Sequence, residues 1–187
     1  MNPEVVTTIL SALTVMGLGA AVFLASIYMA IKQSKHWQKV LKPVNNILLK
    51  YSFHLALIVS LTATLGSLYF SEIAGYEPCK LCWYQRILMY PQVLLLSVSI
   101  LRREFFIKWH LMVLSSLGAL IAAYHYYLQW GGNPLIPCST VGYSVDCAKT
   151  FILEFGFVSI PFMALTAFLL ITLLMLFSPG GSRFSSK

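Results

Sequence analysis

The sequence predicts an all-α membrane protein, a bundle of spanning helices with no separate soluble domain, and three observations carry that expectation. Of its 187 residues, 58% are hydrophobic and only 10% charged, with a mean hydropathy of +0.77. A soluble domain needs about 25% charged residues to coat its surface. Five windows are apolar over about the 20 residues that cross roughly 30 Å of hydrocarbon. All four cysteines fall outside the middles of those windows. A cytosolic enzyme, a disordered tail and a nucleic-acid binder are excluded by this composition, and no nucleic-acid partner is expected. The net charge of +7 reads instead as loop asymmetry across a bilayer. Every backbone group in lipid must be paired internally, so the spans are helices.

The first window, 9–31, is charge-free and holds Gly17, Gly19, Ala20 and Ala21. A cleaved signal peptide places its positive charges before the apolar stretch. Here Glu4 precedes it and Lys32, Lys35, Lys39, Lys42 and Lys50 follow, so a retained helix is expected. The second window, 51–71, is interrupted only by His54, and the third, 83–101, carries Arg86 and Pro91. The fourth, 109–130, carries His110 and His125, and the fifth, 155–177, carries Pro161. Proline is tolerated where neighbouring helices satisfy the freed backbone groups. The 32–50 loop sets Trp37, Val40, Leu41, Val44, Ile47 and Leu48 among lysines. That pattern suits a helix on the anionic inner leaflet or a solvated linker.

Basic residues set the orientation. Five lie in the 32–50 loop, Arg102, Arg103 and Lys108 in the short connection, and Arg183 and Lys187 in the tail. Lys80 and Lys149 alone occupy the loops on the other side. The richer side is cytoplasmic, which puts the N-terminus outside and the C-terminus inside. Trp83, Tyr84, Tyr124, Tyr126, Tyr127 and Trp130 then form an outer aromatic belt.

This topology places Cys79, Cys82, Cys138 and Cys147 all outside, where disulfides form and persist. Two short-range pairs point to two disulfides. Cys79-Lys-Leu-Cys82 closes too small a ring to be an effective staple, and it suits a redox switch. Cys82 lies near a helix N-terminus, which favours a thiolate. Arg86 is four residues on, one turn deeper on the same face, and a charge at that depth marks a functional site. Cys138 and Cys147 share a Pro- and Gly-containing loop open to soluble partners. A four-cysteine zinc site is the competing reading. The wide second spacing and the oxidising compartment weigh against it, and no metal is expected. Haem attachment requires His after the second cysteine, and residue 83 is Trp.

A dithiol relay needs a terminal acceptor. No Gly-rich dinucleotide motif is present, so a lipid-soluble quinone is the expected one. Its head group would approach Cys82 near the outer face, with Arg86 and His125 donating hydrogen bonds to a carbonyl.

The same residues carry a family resemblance. Pro78-Cys-Lys-Leu-Cys-Trp-Tyr-Gln-Arg86-Ile-Leu-Met-Tyr-Pro91 resembles the motif of the DsbB family of disulfide bond formation proteins, closest to its BdbC-type branch. Leu65-Gly-Ser-Leu-Tyr-Phe-Ser-Glu-Ile73, His125-Tyr126 and Phe155-Gly-Phe-Val-Ser-Ile-Pro-Phe162 add to the similarity, which runs from about Tyr51 to Phe177. The resemblance implies a four-transmembrane-helix DsbB-like bundle over 51–178. Residues 1–50, an extra N-terminal transmembrane helix and a basic loop, have no counterpart in it, and 179–187 forms a cytoplasmic tail. It also implies a bacterial cell-membrane quinone reductase, using menaquinone or ubiquinone, that reoxidises an extracytoplasmic thioredoxin-like thiol oxidase (DsbA/BdbD-like). A periplasm kept oxidising by DsbA, DsbB and quinone is the known precedent. By position, Cys138 is the residue attacked by the partner, Cys147 passes electrons to Cys79, and Cys82 faces the quinone beside Arg86, with His125 close by.

Overall fold

The computed structural model describes residues 3–133 and 146–178. Cys138, the loop around it and the tail with Arg183 and Lys187 lie outside those residues. Six α-helices follow in order: α1 (Pro3–Gln33), α2 (Lys35–Val40), α3 (Lys42–Leu68), α4 (Lys80–Arg102), α5 (Lys108–Gln129) and α6 (Ile160–Phe177). A π-helical segment, Tyr69–Ile73, extends α3. Among the described residues there is no strand, only a single bridge between Glu154 and Val158.

Helices occupy the five apolar windows, with shifted ends. The 32–50 loop is mostly helix: α2 is capped by the Ser34 hydroxyl, which accepts from the His36 N–H, and α3 starts at Lys42 with proline in its first turn. With the π segment, the second span therefore runs over 32 residues, Lys42–Ile73. α4 passes through Pro91 without a break. The last helix starts five residues later than predicted, because Phe155 (φ 52°) and Gly156 (φ 77°) reverse the chain. Glu154 and Val158 then exchange two backbone hydrogen bonds of 2.9 Å. Pro161 consequently sits in the first turn of α6, where its missing N–H leaves no donor unpaired.

Among the described residues, four helical stretches are long and apolar enough to cross a membrane, within α1, α3 with its π extension, α5 and α6. α4 is not among these four, although its 23 residues span about 34 Å at 1.5 Å per residue. Its inward face carries Gln85 and Gln92, both buried, and the cost of hiding them is offset by pairing. Gln92 accepts a 2.8 Å bond from the Ser115 hydroxyl and donates to the Leu88 carbonyl. The polarity that lowers its hydropathy marks the helix that bears the site.

α6 is the hub, packing on α1, α3 and α5, while α4 packs between α3 and α5. The core is built on Phe168, Ile171, Met175, Leu96 and Leu111, each fully buried. α5 and α6 approach closely at Gly118, where a Cβ would fall 2.3 Å from the Phe168 ring. α4 and α6 make few contacts with each other, and a cavity opens between them at the end holding Cys79 and Cys82.

Candidate active site

α4 begins at its cysteine motif. Cys79 is the N-cap, in extended conformation, and its Sγ accepts from the Cys82 N–H at 3.3 Å. The two Sγ atoms lie 3.1 Å apart as free thiols. The first disulfide expected from sequence is thus present as a dithiol, whereas Cys147 is disulfide-bonded. The placement of the thiolate also differs from expectation. Cys79 Sγ faces the Cys82 thiol, the Cys82 N–H and His125 Nε2 at 3.5 Å. The hydrogen bond from Cys82 acts first, and that from His125 adds to it. Together they hold the Cys79 thiol far below its ordinary value, at about 4, against burial that raises it. Charge collects on Cys79, and Cys82 becomes the donor of the pair.

His125, on α5, is 2% exposed. Its Nε2 lies 3.1 Å from the Cys147 carbonyl oxygen and its Nδ1 lies 3.1 Å from Gln85 Nε2. A carbonyl only accepts, so Nε2 bears the proton. Nδ1 then accepts from the Gln85 amide, which fixes the tautomer. Cys147, 1% exposed, is held over this histidine by the segment that carries it. Gln129 donates to the Lys149 carbonyl and Tyr126 to the Phe157 carbonyl. The imidazole therefore touches Cys79 on one side and the Cys147 backbone on the other.

The cavity has a volume of about 320 Å³ and is mostly apolar. Phe70, Tyr76 and Phe151 roof it in a stacked column, with successive ring centroids 6.0 and 5.2 Å apart. Cys82, Gln85, Arg86 and Tyr90 give α4's wall its polar groups. Arg86 donates from Nε to the Ser67 hydroxyl and from a terminal nitrogen to the Ser67 carbonyl, both at 3.0 Å. Its guanidinium also lies 5.4 Å from the Trp83 ring. Tyr90 donates to the same Ser67 hydroxyl at 3.3 Å. A charge in the bilayer costs about 3 kcal/mol even at moderate values, and this fork repays part of that cost while aiming the guanidinium into the cavity.

The structure brings Cys79, Cys82, Arg86, His125 and Cys147 to one end of the bundle. It separates two residues that the sequence placed together. Arg86 and Cys82 line the cavity, and His125 does not. Behind α4's first turn, His125 serves the thiols rather than a ligand in the cavity. Gln85, Ser67 and Tyr90 were not singled out from sequence. Gln85 carried a legible signal, a polar residue one turn below Cys82 in an apolar helix. Ser67 looks like any small polar residue until α3 and α4 are docked. Cys79, Cys82 and His125 also present three metal-ligating atoms within 4.8 Å of one another.

An apolar helical bundle with a part-buried dithiol at a helix start, a histidine beside it and a second, disulfide-bonded cysteine across that histidine has the makings of a membrane thiol–disulfide centre. Comparison with known proteins agrees. The family described as disulfide bond formation protein DsbB matches residues 50–178, and the chain belongs to that family. Disulfide bond formation protein C of Bacillus subtilis is 44% identical over 125 residues, covering 66% of this chain and 88% of that protein. A probable disulfide formation protein C of Halalkalibacterium halodurans is 46% identical over 115 residues, covering 61% and 82%. A probable disulfide formation protein of Oceanobacillus iheyensis is 39% identical over 139 residues, covering 74% and 92%. No solved structure matches. The chain is a multi-pass membrane protein of disulfide bond formation, with a thiol:disulfide oxidoreductase role.

Proposed function

We propose that the chain oxidises the dithiol of an extracytoplasmic thioredoxin-like thiol oxidase and delivers the electrons to a membrane quinone. One observation carries this reading: Cys82 and Arg86 share the wall of an apolar cavity, while Cys79 reaches toward Cys147 through His125. The dithiol thus has a lipid-compatible side and a side facing Cys147.

The exchanges balance in pairs of electrons. The partner's two thiols become its disulfide as the Cys138–Cys147 disulfide becomes two thiols. Those thiols are reoxidised as a Cys79–Cys82 disulfide becomes the dithiol. Closing that disulfide again releases two electrons and two protons to the acceptor. A quinone supplies the capacity to take both and leave as quinol. The residues fit such a ligand. The cavity volume falls within the roughly 300–1,000 Å³ of small-molecule sites, and its polar groups sit on one wall. Arg86 orients a carbonyl and favours negative charge on it. Cys82 stands at the cavity, and its proton passes to Cys79 along their 3.1 Å contact when Cys82 acts. His125 steadies the Cys79 thiolate as the negative charge shifts between the sulfurs. The family is generally quinone-linked, which supports the acceptor's class. The reading includes the orientation drawn from the basic loops, with the cysteine end outside the cell membrane.

Thiol trapping of whole membranes tests it. With oxidised quinone in excess, Cys79 and Cys82 should resist alkylation, and quinone depletion should expose them. Trapping that ignores the quinone state would refute the acceptor. A second reading is favoured by the Cys79, Cys82 and His125 cluster: a metal-binding accessory, two thiolates and an imidazole being a suitable start for zinc. Zinc retained at one equivalent by purified protein, with no disulfide exchange, would select it.

A further inference from the structure

α1 lies outside the residues matched to the family, 50–178, yet it reaches the cavity. Leu10, Leu13, Thr14 and Gly17 line it together with residues of α3, α4 and α6. The helix is seated at three levels. Leu10 lies against Gly66 of α3, where a Cβ would come within 3.2 Å of the leucine methyl. Gly17 lies against Leu170 and Thr166 of α6, where a Cβ would come within 3.1 Å. Tyr28 meets the edge of Phe177 at 5.8 Å. Its buried face changes character along the way, from Ala21, Leu24 and Ile27 deep in the bundle to Thr7, Ser11 and Thr14 near the cavity's level. Of these three hydroxyl residues Thr14 lines the cavity, beside Leu10, Leu13 and Gly17.

We propose that α1 is a wall of the acceptor cavity and sets which quinone ring fits beside Cys82 and Arg86. This deepens the quinone reading and rests on it. α1 packs on α6 and adds Leu13 and Thr14 to the lining that also holds Arg86, so a ring held against Arg86 shares the cavity with those two side chains. Bulk at those two positions limits ring width. The exposed face of the same helix, with Met16 at 64% and Val22 at 61%, meets lipid and has no part in selection.

Full-length variants in detergent, assayed with a reduced thioredoxin-like protein and a decyl-substituted benzoquinone, test the wall. Thr14→Phe should raise the quinone KM at least roughly tenfold, given what small changes in pocket volume do to discrimination. Met16→Phe, the same bulk on the lipid face, should leave it unchanged. Leu13→Ala should shift the preference between the benzoquinone and menadione toward the wider ring by roughly threefold or more. It also serves as the readout if Thr14→Phe fails to fold. An azido derivative of the benzoquinone should label the peptide holding residues 10–17. Labelling confined to α3, α4 and α6, with unchanged KM and ring preference in both cavity variants, would overturn the role of α1 and leave the quinone reading standing. No reduction of any quinone by the unsubstituted chain would overturn the acceptor reading, and α1's role with it.

Discussion

A thiolate at Cys79 is charged wherever the pH exceeds its pKa, so its environment can be titrated directly. With Cys82 and His125 holding that pKa at about 4, the ultraviolet thiolate absorbance of the reduced protein should rise with a midpoint near pH 4, not near the ordinary ~8.5. The linkage has a definite sign. A lowered folded-state pKa stabilises the fold fully above the ordinary thiol pKa. That contribution shrinks as pH falls and is gone below about 4. His125→Ala removes one donor and should raise the midpoint; an unmoved midpoint would show that Cys82 alone holds the charge. Arg86 makes a different demand, because both of its bonds to Ser67 come from one planar group. Lysine offers no such fork. Arg86→Lys should raise the quinone KM about tenfold, the loss of roughly one charge-assisted hydrogen bond. Exchange with the partner's thiols should be spared. At this scale the sequence was informative along one helix and silent between helices. Cys79, Cys82 and Arg86 follow from positions on α4. The contact of His125 depends on how α5 is rotated against α4, which no local spacing encodes.

Helix ends obey local chemistry, and helix contacts depend on shape. The start of α4 was legible to within three residues, because the cysteine motif ends a short loop ahead of an apolar run. The late start of α6 was not, since the left-handed pair at Phe155 and Gly156 lies inside a window that is charge-free throughout. The Lys42 start of α3 was hidden for the opposite reason, lysines interrupting a helix that continues through them. Between helices, Gly118 makes the tightest demand. Phe168 is fully buried and cannot yield to a Cβ placed 2.3 Å from its ring. Gly118→Ala should therefore cost about 1–3 kcal/mol despite alanine's better helix propensity. Gly19 has nothing within 4 Å of an added Cβ. Gly19→Ala should be neutral or stabilising by up to about 1 kcal/mol. Thermal unfolding of both variants in one detergent checks the contrast, and equal melting temperatures would mean that α5 and α6 are not packed this closely.

For the whole molecule, the two ends of the bundle differ in the charge they carry. At one end, α2, the start of α3 and the α4–α5 connection hold Lys35, Lys39, Lys42, Arg102 and Arg103, all exposed. At the other lie the cysteine motif, the His125 turn and the segment bearing Cys147, with Lys80 and Lys149 as their exposed lysines. Trp83, Tyr84, Tyr127 and Trp130 are exposed near this second end, as expected of side chains at a membrane interface. In the orientation proposed above the lysine-rich end lies in the cytoplasm, and only then could a dithiol at the start of α4 meet an extracytoplasmic partner. The native lysines report this without any substitution. A membrane-impermeant amine reagent applied to intact cells should modify Lys80 and Lys149, leaving Lys35, Lys39 and Lys42 unlabelled until the membrane is opened. The reverse pattern would turn the Cys79–Cys82 dithiol toward the reducing cytosol. The cavity and its Arg86 would be unchanged, but electrons would enter from the glutathione pool, and disulfide formation outside the cell would lose its oxidant.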